Sequence, residues 1–179
     1  NFVNIKKGTG TYCLYHGNLE IGENIEAAMF LIKEVFALIS TPLIIAGYKP
    51  STELKELCNK YKNVTLVNSP NGEEMNKLIR NAQIHILPTF QSTGIKLKLY
   101  AALYNGRHCI ANTFMVKDTG LESLCHIVDA ANDMKVLIKE LMKQSFEQEL
   151  INFRKDILEK TKFSNRHNIN QLIKMLYKD

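Results

Sequence analysis

No stretch of this sequence approaches the roughly 20 consecutive apolar residues of a membrane-spanning helix. No signal-type apolar segment stands near its first residue, Asn1. Glycine-rich phosphate loops are also missing: there is neither G-x-G-x-x-G nor G-x-x-x-x-G-K-[ST], which argues against a dinucleotide oxidoreductase and a P-loop NTPase. The four cysteines, Cys13, Cys58, Cys109 and Cys125, have no C-x-x-C spacing. Zinc and redox chemistry therefore find no support, and buried free thiols are expected. Charge of one sign is nowhere concentrated. The net +5 comes from 23 Lys and Arg interleaved with 18 Asp and Glu, without a basic arm, so nucleic acid is not indicated. No D-x-D-like carboxylate pair occurs, since Asp118 and Asp129 stand alone. His85 reads as a core residue and His108 and His126 as strand borders, with no metal-ligand spacing and no sign of a Ser-His-Asp array. Neither a metal nor a resident cofactor is expected.

What is present is an ordinary globular composition, 45% hydrophobic and 23% charged over 179 residues, which suits one domain. The chain reads as a piece of a cytosolic protein. Short β-prone or apolar runs at 11–16, 41–47, 63–67, 84–87, 109–111 and 126–128 predict strands. Between them, residues 23–39 place Ile25, Ala28, Met29, Ile32, Val35, Phe36 and Ile39 on one helical face. Further helices are predicted from Ser51, a plausible N-cap, to about Lys62, and from Asn71, which with Glu74 forms a capping-box pattern, to about Asn81. Others cover 95–104 and 132–143. Alternation of this kind gives right-handed βαβ crossovers and a Rossmann-like α/β fold, a doubly wound, mostly parallel sheet of about six strands flanked by helices. The core is assigned to about 12–145 and a C-terminal helical extension to 146–179.

In such a sheet the ligand site lies beyond the carboxyl ends of the strands. Gly17 and Asn18, after the first strand, can let backbone approach a ligand, although a simple β-to-α turn would read the same way. His16 could face the same rim. The stretch 87–112, LPTFQSTGIKLKLYAALYNGRHCIAN, lays out a strand, a polar loop, Gly94, a helix and another strand. Free amides in the first turn of that helix would form an anion site beside Thr93 and Gly94. Lys96 and Lys98 could add charge, but two residues apart on a helix they do not share a face, so at most one is expected to point at the anion.

The ordered set YHGNL, PLIIAG, NVTLVNSPNGEEMNKLIRNAQIHILPT, GIKLKLYAALYNGRHCIAN and HIVD, from about Tyr12 to Tyr177, resembles the C-terminal domain of group 1 retaining glycosyltransferases of the glycosyltransferase B fold. That resemblance implies binding of a nucleotide diphosphate sugar, with the acceptor saccharide held by an N-terminal domain absent here. It implies hexosyl transfer, mannosyl or glucosyl, in polysaccharide biosynthesis, with the separate chain inactive. Localisation would be cytoplasmic, and the full enzyme could sit peripherally at the inner membrane face. For the donor it implies Gly17 and Asn18 near the diphosphate, the loop with Asn68 and Pro70 near the base, and Thr93, Gly94, Ile95, Lys96 and Lys98 around the phosphates. The chain departs from the family pattern where an Arg and a Lys are usual, carrying Asn18 and Glu23, and where two glutamates are usual, carrying Thr93 and Ala101. The two lysines then stand as replacements for the lost cations. The competing reading is a non-catalytic Rossmann-like interaction module that has lost the nucleotide. A flavin or nicotinamide enzyme of flavodoxin or epimerase kind is disfavoured by the missing glycine fingerprint.

Overall fold

A computed structural model of the chain describes residues 2–91 and 96–160. Six parallel strands form one sheet: β1 (Cys13–Asn18), β2 (Leu43–Tyr48), β3 (Val64–Asn68), β4 (Ile84–Leu87), β5 (His108–Ala111) and β6 (His126–Ile127), in the order β3-β2-β1-β4-β5-β6. Every neighbouring pair runs parallel, β1 aligning Cys13 with Leu43 on one side and with Ile84 on the other. The winding reverses direction between β1 and β4. This is the switch point at which open α/β sheets leave a crevice at their carboxyl edge.

The connecting helices are α1 (Gly22–Phe30), α2 (Thr52–Asn59), α3 (Gly72–Asn81), α4 (Leu97–Asn105), α5 (Thr113–Val116), α6 (Ala131–Leu141) and α7 (Gln148–Lys160). The predicted helix 23–39 is present but not uniform. After Phe30 it widens into a π turn, Leu31–Val35, and tightens into a 3-10 turn, Phe36–Leu38. Leu31, Ile32, Val35 and Phe36 are all buried along this altered winding. On one side of the sheet Cys13, Tyr15, Leu43 and Ile45 join α1 and α2 in the main core; on the other, Leu14 and Ala46 pack with Ile79 of α3.

The caps at Ser51 and Asn71 form as expected. Ser51 Oγ accepts from Leu54 N at 3.2 Å, and Asn71 and Glu74 make a reciprocal capping box at 2.9 and 2.8 Å. Asn71→Ala is expected to destabilise the fold by about 1 kcal/mol, measured by urea unfolding, because the α3 cap loses its side-chain acceptor. The helical extension packs through Ile151, Arg154 and Leu158, and Tyr104 Oη donates to Leu158 O at 3.1 Å. Residues 161–179 of that predicted extension lie outside the described residues. The free thiols of Cys13, Cys58 and Cys109 are buried, as expected, and Cys125 is half-buried. Among the described residues no helix is long and apolar enough to cross a membrane.

Candidate functional site

β1 runs two residues further than the sequence suggested, so Gly17 and Asn18 close the strand itself, paired with Gly47 and Tyr48 of β2. Gly47 is glycine for a steric reason. A Cβ there would strike the Gly17 carbonyl oxygen and would come within 2.8 Å of the Leu19 side chain.

A cleft of about 570 Å³ lies at the switch point, between the end of β1, the first turn of α1, the middle of α3 and the start of α4. Its volume is in the range that holds a small organic ligand. His16, Gly17, Asn18, Asn24, Lys96 and Lys98 are among its lining residues. Two helices open onto it, α1 after Ile21 and α4 after Lys96, and neither has a side-chain cap. By contrast α2, α3 and α5 are capped by Ser51, Asn71 and Asn112; α6, away from the cleft, is also uncapped. No N-cap side chain accepts from the first turn of either helix, where Asn24 N and Leu99 N bond back to Ile21 O and Lys96 O, and the positive ends of both helix dipoles face the same space.

Lys98 is held in place by a small polar cluster. Its Nζ donates to Asn24 Oδ1 at 2.6 Å and to Tyr15 Oη at 3.3 Å, and lies 5.2 Å from the Tyr15 ring centroid. Asn24 in turn donates to Asn18 O at 2.9 Å, while Tyr15 Oη donates to Asn24 O at 3.2 Å. Burial pulls the Lys98 ammonium down to about 8; the Glu23 carboxylate opposes this and Lys96 adds to it. Lys96 Nζ donates to the Gln91 carbonyl at 3.0 Å.

Glu23, in the first turn of α1, brings a negative charge to the cleft wall, and its Oε1 accepts a hydrogen bond from Thr89 Oγ1. Thr89 is clamped from the other side by buried Asn112, which donates to Thr89 O at 2.6 Å and accepts from Thr89 N at 3.1 Å. His16 is 6% exposed and lies edge-on to buried His85, with ring centroids 5.9 Å apart. Burial holds His16 down to about 4, helped by the Lys98 charge, so its imidazole is neutral at pH 7.

Of the residues proposed from sequence, Gly17, Asn18, Lys96 and Lys98 meet at this cleft. Both lysines line it. Lys96 precedes α4 with ψ 53, outside helical geometry, so the spacing rule for a helix does not apply to the pair. Thr93, Gly94 and Ile95 lie outside the described residues. Asn68 and Pro70 do not line the cleft: Asn68 ends β3, two strands away from β1, where it accepts from Ser69 Oγ at 2.9 Å. Asp129 accepts from Thr113 N at 2.9 Å and Thr113 Oγ1 at 2.6 Å. Asn24, Thr89 and Asn112 were not singled out by sequence reasoning. Their only signal was a polar residue just past a strand or at a helix start on the carboxyl edge.

The sequence matches no family model and no curated protein. Its fold does match solved structures. TarM superposes with TM-score 0.69 at 14% identity, over 99% of this chain and 38% of that one. WaaG, a glycosyltransferase involved in lipopolysaccharide biosynthesis, gives 0.65 at 10%, over 94% and 48%. AviGT4, a glycosyltransferase involved in avilamycin A biosynthesis, gives 0.64 at 14%, over 99% and 54%. The chain therefore spans about half or less of the length of the proteins it resembles. By strand order, switch-point cleft and superposition, it has the Rossmann-like fold of one half of a glycosyltransferase B enzyme.

Proposed function

We propose that the chain is the donor-binding half of a glycosyltransferase, holding the diphosphate of a nucleotide sugar while a second domain presents a saccharide acceptor. The observation that carries this reading is the convergence of Lys98 and two uncapped helix starts on one switch-point cleft. A diphosphate laid across Gly17 and Asn18 would meet amide hydrogens from α1 and α4 and the ammonium of Lys98. The same groups would stabilise charge that grows on the leaving diphosphate as the glycosidic carbon–oxygen bond to it breaks, which is electrostatic catalysis by preorganised donors. A form of S. aureus TarM is solved with UDP and saccharide ligands, which supports a nucleotide and a saccharide as partners here. Hexosyl transfer with retention, in a cytoplasmic enzyme of polysaccharide synthesis, follows the same reading, and the chain alone would transfer nothing.

Calorimetry with UDP, GDP and ADP tests the proposal. Saturable binding of one of them, lost on Lys96→Ala with Lys98→Ala, is expected; heats no larger than dilution for all three would remove it. The pH dependence is also set. Below about 8 Lys98 carries its charge, so affinity should be full there and fall as pH rises through that value. The nucleotide would itself move the midpoint upward, because it favours the protonated amine.

Glu23 favours a second reading, a module that has kept the cleft and lost the ligand, because a carboxylate in the wall repels a diphosphate. Glu23→Gln separates the two. In a donor site it sharpens binding that already exists; in a relic the unsubstituted chain shows none.

A further inference from the structure

At the opposite edge of the sheet, where β5 and β6 begin, a cavity of about 150 Å³ is lined by His108, Cys125, His126, Phe146, Phe153 and Arg154, among others. Arg154, on α7, is 4% exposed. Its Nη1 donates to Gly106 O at 2.7 Å and to Leu103 O at 3.4 Å, closing the last turn of α4. The guanidinium also lies 4.8 Å from the Phe146 ring centroid. No carboxylate pairs with it among the described residues.

Arg107 is a useful contrast. It closes α3 in the same manner, with Nη1 on Arg80 O at 3.1 Å and Ala82 O at 2.8 Å, but its Nε is sealed in the interior. Capping therefore requires only Nη1. The Nε and Nη2 groups of Arg154 make no hydrogen bond among the described residues, and the side chain lines the cavity, so the guanidinium has donors to spare beside it. A buried guanidinium without an anionic partner is costly to maintain. Planar oxyanions are the groups that a guanidinium fork binds in pairs of hydrogen bonds.

We propose that this cavity binds a small oxyanion, a phosphate or carboxylate group seated on the unused edge of Arg154 with His126 at the mouth. The volume is about five times a water molecule's share of the liquid, enough for such a group and too small for a nucleotide. Burial and the nearby Arg154 hold His126 below its usual range; an anion in the cavity would oppose both effects and raise it.

The test follows the Arg154 Nε–H and His126 ring NMR signals of the 179-residue chain during titration with inorganic phosphate, sodium acetate or sodium chloride at constant ionic strength. Saturable shifts with phosphate or acetate, a raised His126 midpoint and no saturation with chloride are expected; whichever oxyanion saturates at lower concentration identifies the class. Arg154→Lys should abolish saturation. Because that change also loosens the end of α4, His126→Ala on the exposed rim is the second variant, with binding several-fold weaker and thermal stability unchanged. Linear shifts of equal size in all three salts, or equal affinity in both variants and the unsubstituted chain, would overturn the proposal.

Discussion

Lys98→Met should weaken nucleotide diphosphate binding by about 10- to 100-fold, because a charged hydrogen bond to an anion is worth about 1.5–3 kcal/mol and each 1.4 kcal/mol is a factor of ten. Methionine keeps most of the stem and removes the ammonium, so the effect on affinity is that of the charge. Lys98 is the sharper probe of the two lysines, since its ammonium is fixed by Asn24 and Tyr15 beside the end of β1. The change also bears on stability. In the folded chain the Lys98 ammonium loses its proton near 8, whereas in the unfolded chain it does so near 10.5. The unfolded state thus holds more protons between those values, and stability tied to this group rises with pH there while nucleotide affinity falls. Calorimetry and urea unfolding at pH 7 and 9 read the two trends separately. An affinity for the Lys98→Met chain within twofold of the unsubstituted one would remove Lys98 from the site.

Acidification below pH 6.5 should unfold the chain steeply. Burial holds His16 down to about 4, His85 to about 3 and His108 to about 4, against 6.5 when exposed. Folded-state values lie below unfolded ones, so the unfolded chain takes up protons first. The stability is complete above 6.5 and is lost as pH falls toward 4. Each histidine contributes a slope of about 1.4 kcal/mol per pH unit, and the three together can exhaust a typical stability of about 5–15 kcal/mol within a few units. His85 contributes for a clear reason. Its Nε2 is 3.0 Å from Ile79 O while its Nδ1 is sealed without a partner, and His16 stands beside it. Urea midpoints at pH 7, 6 and 5 measure the slope in a range where carboxylates titrate little. A stability flat across that range would contradict the buried, neutral histidines.

Much of the fold was legible because its signals are local. The apolar run ending at Gly47, the strand ended by Pro88 and the Asn71–Glu74 capping pattern each sit within a few residues, and strand–helix alternation then leaves a parallel sheet as the economical solution. The π turn after Phe30 was not legible, because Ile32, Val35 and Phe36 fit one face of a regular helix equally well. Helix α5 is a single turn that depends on Asn112 Oδ1 accepting from Met115 N at 3.2 Å and on Asp129 in a later loop. The site was half legible. Gly17, Asn18 and the lysines follow from the rule that ligands meet the carboxyl edge, but the Glu23–Thr89–Asn112 chain is made of bonds across 66 and 23 positions and leaves no periodic trace. The placement of Lys96 before α4 also depends on where the helix begins, the feature that a spacing argument locates least well.

A nucleotide diphosphate seated in the switch-point cleft would perturb the backbone amides around it, and titration with UDP, GDP or ADP reads them. Saturable shifts are expected at Gly17, Asn18, Asn24, Leu97 and Lys98, surrounding the cleft, for at least one of the three. Saturable changes confined to residues elsewhere, or no change with any of them at millimolar concentration, would contradict binding there.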